Sequence, residues 1–369
     1  MRLMPSSPGL LHTIISIAAL HQAYRELEVT QTSIETHRLS IMQRDATVNL
    51  HLMTSSDHLP PAATHDSLTH KQLALKSIRK ELLYLEYSNL EGTIASILLL
   101  VWQDLMDSGT NSWKCHLDAL KGLVPVGLAP IGLCTKAEDS SSRTIYNNFE
   151  TTYAAFHILG NTFVQSKELY HPLFSTMPIT QIMDLSDGQS WAGCPAQLLS
   201  IISLLNNASI NISPSSDFMD TIFSAFQEFS PMKWAIANNN SSFMKPRYHL
   251  ASAYKGAVAI YMTQVMHGYR ETDAIQLSHI DSIDFLILHL ISINFEDDHF
   301  KSLVWPSFVI GAEAREESQR KSITRIFEGL WRRWRCENVR NALKVLQYLW
   351  NLHDQMQFSD RWQWINELH

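Results

Sequence analysis

The chain has 369 residues, enough for one large helical domain or two smaller ones, and its 45% hydrophobic and 18% charged content marks it as globular rather than disordered. A net charge of -7 excludes a chain-wide basic footprint for nucleic acid. The longest apolar runs, IASILLLVW (94–102) and FLILHLISI (285–293), fall far short of the ~18 residues that a membrane-spanning helix requires.

Gly and Pro are scarce, thirteen each, and apolar residues recur at a period of 3.6 rather than 2. The first segment, MRLMPSSPGLLHTIISIAAL, has the charged-then-apolar order of a signal peptide. Pro5, Pro8 and His12 interrupt that order, however, and an amphipathic pattern continues through His21 and Tyr24. A buried first helix over 9–27 is expected. Further helices are expected over 33–53, 66–87, 91–107, 111–124, 144–164, 195–206, 216–237, 247–269, 279–293, 302–317, 318–334, 337–353 and 359–368. Ser67 is a candidate N-cap for the run through Leu73, Leu75 and Ile78, and Asp281 or Ser278 for the run before Phe285. Pro60-Pro61 is expected to end an element, and Pro125, Gly127, Pro130 and Gly132 another.

The clearest amphipathic case is ENVRNALKVLQYLWNLHD, where Val339, Leu343, Leu346, Leu349 and Trp350 share one stripe. Loops are expected at 55–64, 125–143, 207–215 and 238–242. The polar KAEDSSSRT (136–144) is the candidate linker, and it would divide a single 1–369 domain into parts 1–135 and 145–369. No fixed-period repeat indicates a solenoid. The expected fold class is all-α, an irregular helical array or multi-helix bundle of about 13–14 helices.

Four cysteines, Cys115, Cys134, Cys194 and Cys336, are too far apart for a zinc module or a redox pair and fit a reducing intracellular compartment. Seventeen histidines invite a metal hypothesis, but there is no H-E-x-x-H. His51, His58 and His65 recur at seven, yet Pro60-Pro61 breaks the helix that would align them, so they are read as loop or surface residues. The nucleophile elbow, the P-loop and the dinucleotide fingerprint are all absent from the sequence. NFEDDHF presents Glu296, Asp297 and Asp298, similar to a diphosphate-binding aspartate-rich motif but lacking its third carboxylate, so charge at a helix N-terminus is the plainer role. Asp104 and Asp107 in WQDLMDSG are read as a solvated helix end. WRRWR (331–335) is read as a solvated helix face with buried tryptophans rather than a phosphate-and-stacking patch.

Four stretches carry a family resemblance. They are LLHTIISIAALHQAY (10–24), GTIASILLLVWQDLMDSGTNSWKCHLDALKGLV (92–124), GCPAQLLSIISLL (193–205) and WPSFVIGAEAREESQRKSITRIFEGL (305–330) followed by RCENVRNALKVLQYLW. In the second, Trp113, His116, Leu117, Ala119 and Leu123 stand at the family's places. In this order the chain resembles the fungal-specific transcription factor domain, the all-α regulatory region found C-terminal to binuclear zinc-cluster DNA-binding modules.

The resemblance implies a transcriptional regulator acting in the nucleus. Its chain would bind a protein partner or a small-molecule effector, with a homodimer as one form, no cofactor or metal, and no membrane contact. The DNA-binding module of that family needs six cysteines in two close sets. This sequence holds no such set, so direct DNA binding by this chain is not expected, and the chain reads as a fragment or a stand-alone relative. The resemblance places the Trp-Pro segment at the start of a late helix. Pro306 suits a first turn, Gly311, Ala312 and Ala314 allow close helix approach, and Glu313 makes a half-buried polar contact. The alternative is an enzyme recruited from the same scaffold for a hydrophobic small molecule in secondary metabolism. Its candidate groups are His116, Glu296, Asp297, Asp298 and Glu313, none anchored by a motif.

Overall fold

A computed structural model of the protein describes residues 7–42, 61–83, 90–109, 112–123, 140–164, 167–173, 178–185, 192–210, 215–237, 241–266, 282–355 and 364. Among them are fourteen α-helices, one 3-10 helix and no strand, which is the all-α class the sequence implies. The chain forms two compact units, Met1–Ala119 and Leu120–His369. Of the linker expected at 136–144, residues 136–139 lie outside the described residues and 140–144 instead open a helix, while the helix expected at 359–368, save residue 364, and Cys134 lie outside them.

The first unit is built on α1 (Pro8–Met42), α2 (Pro61–Leu83) and α3 (Leu90–Asp107). The Gly9 N–H donates to Glu81 Oε1 at 3.3 Å, the Nδ1 atoms of His12 and His70 lie 3.0 Å apart, and the Ser16 hydroxyl donates to the Ser67 carbonyl at 2.6 Å. As α1 ascends its partners descend, so α2 is antiparallel to it. The Tyr24 hydroxyl donates to the Met106 carbonyl at 3.0 Å, and the Gln103 amide donates to the Ser16 hydroxyl, which sets α3 parallel to α1. Glu81 also accepts from Thr93 Oγ1 at 2.7 Å, placing a carboxylate at the α1 N-terminus where the helix dipole favours it. Leu20, Ala23, Ala74, Ile94, Ile97 and Val101 fill the core between the three helices.

Three expectations change here. The stretches 9–27 and 33–53 merge, because nothing between residues 27 and 33 breaks the helix, and α1 runs unbroken to Met42. Pro61 opens α2 instead of ending an element, since a first helical residue needs no N–H partner. Ser67 consequently sits well inside α2, buried against Ser16, and caps nothing. The helix α4 (Trp113–Leu123) follows.

The second unit contains α5 (Ser140–Asn161), α6 (Ile179–Leu185), α7 (Ala196–Ile210), α8 (Ser216–Glu228), α9 (Pro231–Ala237) and α10 (Ser241–Met266). It continues with α11 (Ile283–Ile291), a 3-10 helix (Asp298–Leu303), α12 (Val304–Ala312), α13 (Glu317–Trp334) and α14 (Glu337–Gln355). At its centre is α10, against which α7, α9, α11 and α12 pack. Leu250, Ala253, Tyr254, Ala257, Val258, Tyr261 and Met262 are buried on several sides of it, the pattern of a helix enclosed by others. Gly256 lets α11 close in: a Cβ there would run into the Leu286 side chain.

The single helix expected over 216–237 is two. Phe229 is extended, at φ -67° and ψ 122°, and Ser230 precedes Pro231, which disfavours helical backbone at that residue. Expected from 302, the next helix is preceded by a 3-10 turn with Asp297 as N-cap, accepting from the His299 N–H at 2.8 Å. Ser282 caps α11, its hydroxyl accepting from the Phe285 N–H, while the candidates Ser278 and Asp281 lie outside the described residues. The short α6 has no strong period and was not foreseen.

Helix α13 opens with a reciprocal cap between Glu316 and Gln319 and ends at Arg335, which adopts the left-handed conformation at φ 49°. Arg332 is exposed, as a solvated helix face requires, but that turn changes the reading of WRRWR at its last two residues. Arg335 is buried and sits over the Trp331 ring at 5.6 Å, with Arg340 at 4.9 Å, whereas Trp334 remains exposed. The tight turn returns the last arginine to the protein and leaves an indole outside.

Candidate functional site

The segment WPSFVIGA forms α12, and every one of its residues from Trp305 to Ala312 is buried. Pro306 lies in its first turn, where no N–H is missed. Trp305 is the hub. Its ring stacks on Tyr254 of α10, with centroids 5.7 Å apart and planes 9° from parallel, and meets the edge of Tyr261 at 6.3 Å. Its indole N–H donates to Thr162 Oγ1 at 3.0 Å, just beyond the end of α5. One helix pair and one loop are therefore fixed by a single side chain that leaves no polar atom unpaired.

At the far end of α12, Gly311 is approached from two sides. A Cβ there would meet Ile323 Cγ2 of α13 at 2.9 Å and Leu346 Cδ1 of α14 at 3.1 Å. Its carbonyl accepts from Trp350 Nε1 at 2.8 Å. Glu313 follows, accepting from Gln264 Nε2 of α10 at 2.8 Å, with Arg315 Nη2 3.8 Å from its other oxygen. Burial raises the Glu313 carboxyl above its ordinary range against the opposing pull of Arg315 and Gln264.

A buried polar chain runs beside the hub. Lys167 Nζ donates to the Tyr261 hydroxyl at 2.8 Å, and that hydroxyl donates to Asn206 Oδ1 at 2.6 Å. Asn206 Nδ2 in turn donates to the Ile158 carbonyl at 2.9 Å. The chain ties the 167–173 stretch to α10, α7 and α5. Burial lowers the Lys167 amine to about 8 and pushes the Tyr261 hydroxyl well up, so the phenol stays protonated and serves as a relay of hydrogen bonds. This polar chain is a structural tie across the centre of the second unit. The residues it joins do not form a nucleophile–base pair.

The five groups expected under a catalytic reading occupy three places. His116 belongs to the first unit, where its Nε2 lies 3.3 Å from Asp104 Oδ2. Glu296 and Asp298 sit at the surface and are engaged by Arg333, at 3.2 and 3.8 Å, while Asp297 is the 3-10 cap and pairs with His299 Nδ1 at 2.7 Å. Glu313 stands apart, at the end of α12. Among the described residues, no group of three or more His, Cys, Asp or Glu side chains could hold a metal ion.

Asp104 is a correction. Its sequence position suggests a solvated helix end, yet it is buried. Lys71 Nζ lies 2.6 Å from Oδ1, and the backbone N–H groups of Ser108 and Gly109 return to its carbonyl. The helix end folds under itself and α2 supplies the cation. Burial alone would raise the carboxyl, but the hydrogen bonds and charges of His116 and Lys71 prevail and hold it at about 2.

The profile of the fungal specific transcription factor domain matches residues 1–368. The chain belongs to this family. It is also similar to the acriflavine sensitivity control protein acr-2 of Neurospora crassa, 24% identical over 354 residues, 88% of this chain and 58% of that protein. The chain thus spans less than two thirds of the length of that relative. No solved structure matches it significantly.

Within this fungal transcription factor domain, the Trp-Pro segment begins a late helix, as the resemblance implies, and α10 packs on that helix. His116 in WKCHLDALKGL couples the start of α4 to Asp104 at the end of the preceding apolar helix. Sequence reasoning missed Lys167, Tyr261 and Asn206. The available signal was the Asn206-Asn207 pair in the apolar run LLSIISLLNNASI, whose first member a helix ending at 206 would have left at the solvent. No helix among the described residues is long and apolar enough to cross a membrane.

Proposed function

We propose that this protein regulates transcription in the nucleus, with residues 1–369 acting as one regulatory domain that responds to a protein partner or a small effector. The observation that carries this reading is the family match over residues 1–368, which runs through both compact units. The placement of the polar groups supports it: in the first unit His116 pairs with Asp104, and in the second Glu296, Asp297 and Asp298 each stabilise a helix end or an ion pair. A fold alone does not assign a function, so the reading rests on family membership joined to that placement.

The relative's name, acriflavine sensitivity control, extends the proposal to control of a response to a toxic small molecule.

The test fuses the full chain to a heterologous DNA-binding module placed upstream of a reporter gene in a fungal host. Reporter output different from that of the module alone, in either direction, is expected. Identical output over a panel of toxic small molecules would argue against the proposal.

A further inference from the structure

Between α5 and α6, residues 167–173 run as a strap without helix or strand along one face of α5. That face carries Glu150, Tyr153, His157 and Asn161, whose spacing of three or four residues aligns them on a helix. All four are buried, and Glu150 is 0% exposed. Asn161 Nδ2 donates to the Glu168 carbonyl at 2.7 Å, the Tyr170 hydroxyl to Glu150 Oε1 at 2.6 Å and the Leu173 N–H to Glu150 Oε2 at 2.9 Å. The Tyr170 ring lies against those of Tyr153 and His157, with centroids 6.0 and 5.8 Å away. Lys167 reaches across to the Tyr261 hydroxyl of α10, and Glu168 pairs with Lys121 of α4.

The strap is held differently from the helices around it. Each of these hydrogen bonds uses a side chain. Leu173 is buried, but Leu169 is 48% exposed and His171 and Pro172 face water, so little apolar burial holds the strap down. Its main anchor is a charge. Both Glu150 oxygens accept hydrogen bonds, as a carboxylate does, and a carboxylate stripped of water carries a desolvation cost that the two bonds from the strap help to offset. Lifting the strap breaks those bonds and returns water to Glu150 in the same movement. The two effects oppose each other, which makes opening less costly than unfolding the unit.

We propose that residues 167–173 are a releasable strap, latched by Glu150, whose opening bares the polar face of α5. The open form presents a carboxylate, a phenol, an imidazole and an amide in one row and separates Lys167 from Tyr261. The closed form keeps all four groups from water. The inference depends on the contacts of the strap and stands apart from the regulatory reading.

Native-state hydrogen exchange of the full chain, read at single amides by mass spectrometry in rising urea below the unfolding transition, tests it. In the parent, the Leu173 amide is expected to exchange by local opening, at a rate that low urea leaves unchanged and about tenfold or more above the amides of α10, whose exchange accelerates with urea. Glu150→Gln, which sets an amide where two acceptors are needed, should speed Leu173 exchange by about a further tenfold and leave α10 at its parent rate. Tyr170→Phe, which keeps the ring and removes one of the two donors, should give a smaller rise at the same amide. A parent Leu173 amide that exchanges as slowly as α10 and accelerates with urea in step with it overturns the proposal. So does a Leu173 rate unchanged in both variants.

Discussion

His116 Nε2 lies 3.3 Å from Asp104 Oδ2, joining the start of α4 to the end of α3, and Lys71 of α2 holds the other oxygen of the same carboxylate at 2.6 Å. One buried side chain therefore anchors three helices of the first unit. Neither partner is adjacent to it in sequence.

Asp104→Asn is expected to lower stability at neutral pH by about 2 kcal/mol, the value of the displacement of its carboxyl from 3.8 to about 2. Because the folded carboxyl is the more acidic, its contribution is complete above about pH 4 and is lost as the pH falls toward 2. Urea unfolding at pH 6 and pH 3 should show a wide gap between parent and variant at the higher pH and a narrower one at the lower.

Trp305 and Thr162 should be energetically coupled. Trp305→Phe keeps an aromatic ring over Tyr254 but removes the indole donor, and Thr162→Val removes the acceptor. A double-mutant cycle on urea unfolding is expected to give a coupling of about 1 kcal/mol. Additive effects would detach the hydrogen bond from the account of the hub.

Much of this was legible in the sequence, and the reasons for success and failure are physical. Strong 3.6-residue periodicity announced α3, α13 and α14, whose apolar stripes face a core. The join between residues 27 and 33 of α1 and the break at Phe229 were missed, because the first depends on the absence of a stop and the second on the residue that precedes a proline. The charged Asp104 looked like surface because its partners, Lys71 and His116, arrive from other helices. Lys167 was invisible for the same reason: its setting is made by Tyr261, 94 residues downstream.

Gly311→Ala tests the closeness of α12, α13 and α14. A methyl group there meets Ile323 at 2.9 Å and Leu346 at 3.1 Å, so it should cost about 1–3 kcal/mol even though alanine is the better helix former. Combined with Leu346→Ala, which vacates one side, the added cost of the methyl should shrink. Chemical denaturation of the four proteins measures this.

Glu313→Gln reports on the buried carboxyl. The folded group binds its proton more tightly than the unfolded one, so its contribution to stability is present below the ordinary glutamate range and is lost as the pH rises through the folded value. An amide carries no charge to desolvate and can still accept from Gln264. The variant should be more stable than the parent at pH 8, and the difference should close at pH 4 in thermal unfolding.

The central claim, a regulator rather than a catalyst, is tested most directly by conditional depletion of the protein in its fungal host with transcript profiling over the first hour. The account predicts that a defined set of transcripts changes promptly and returns when the parent chain is restored. Unchanged transcripts, together with accumulation of a small molecule that the chain consumes when added back in purified form, would contradict it.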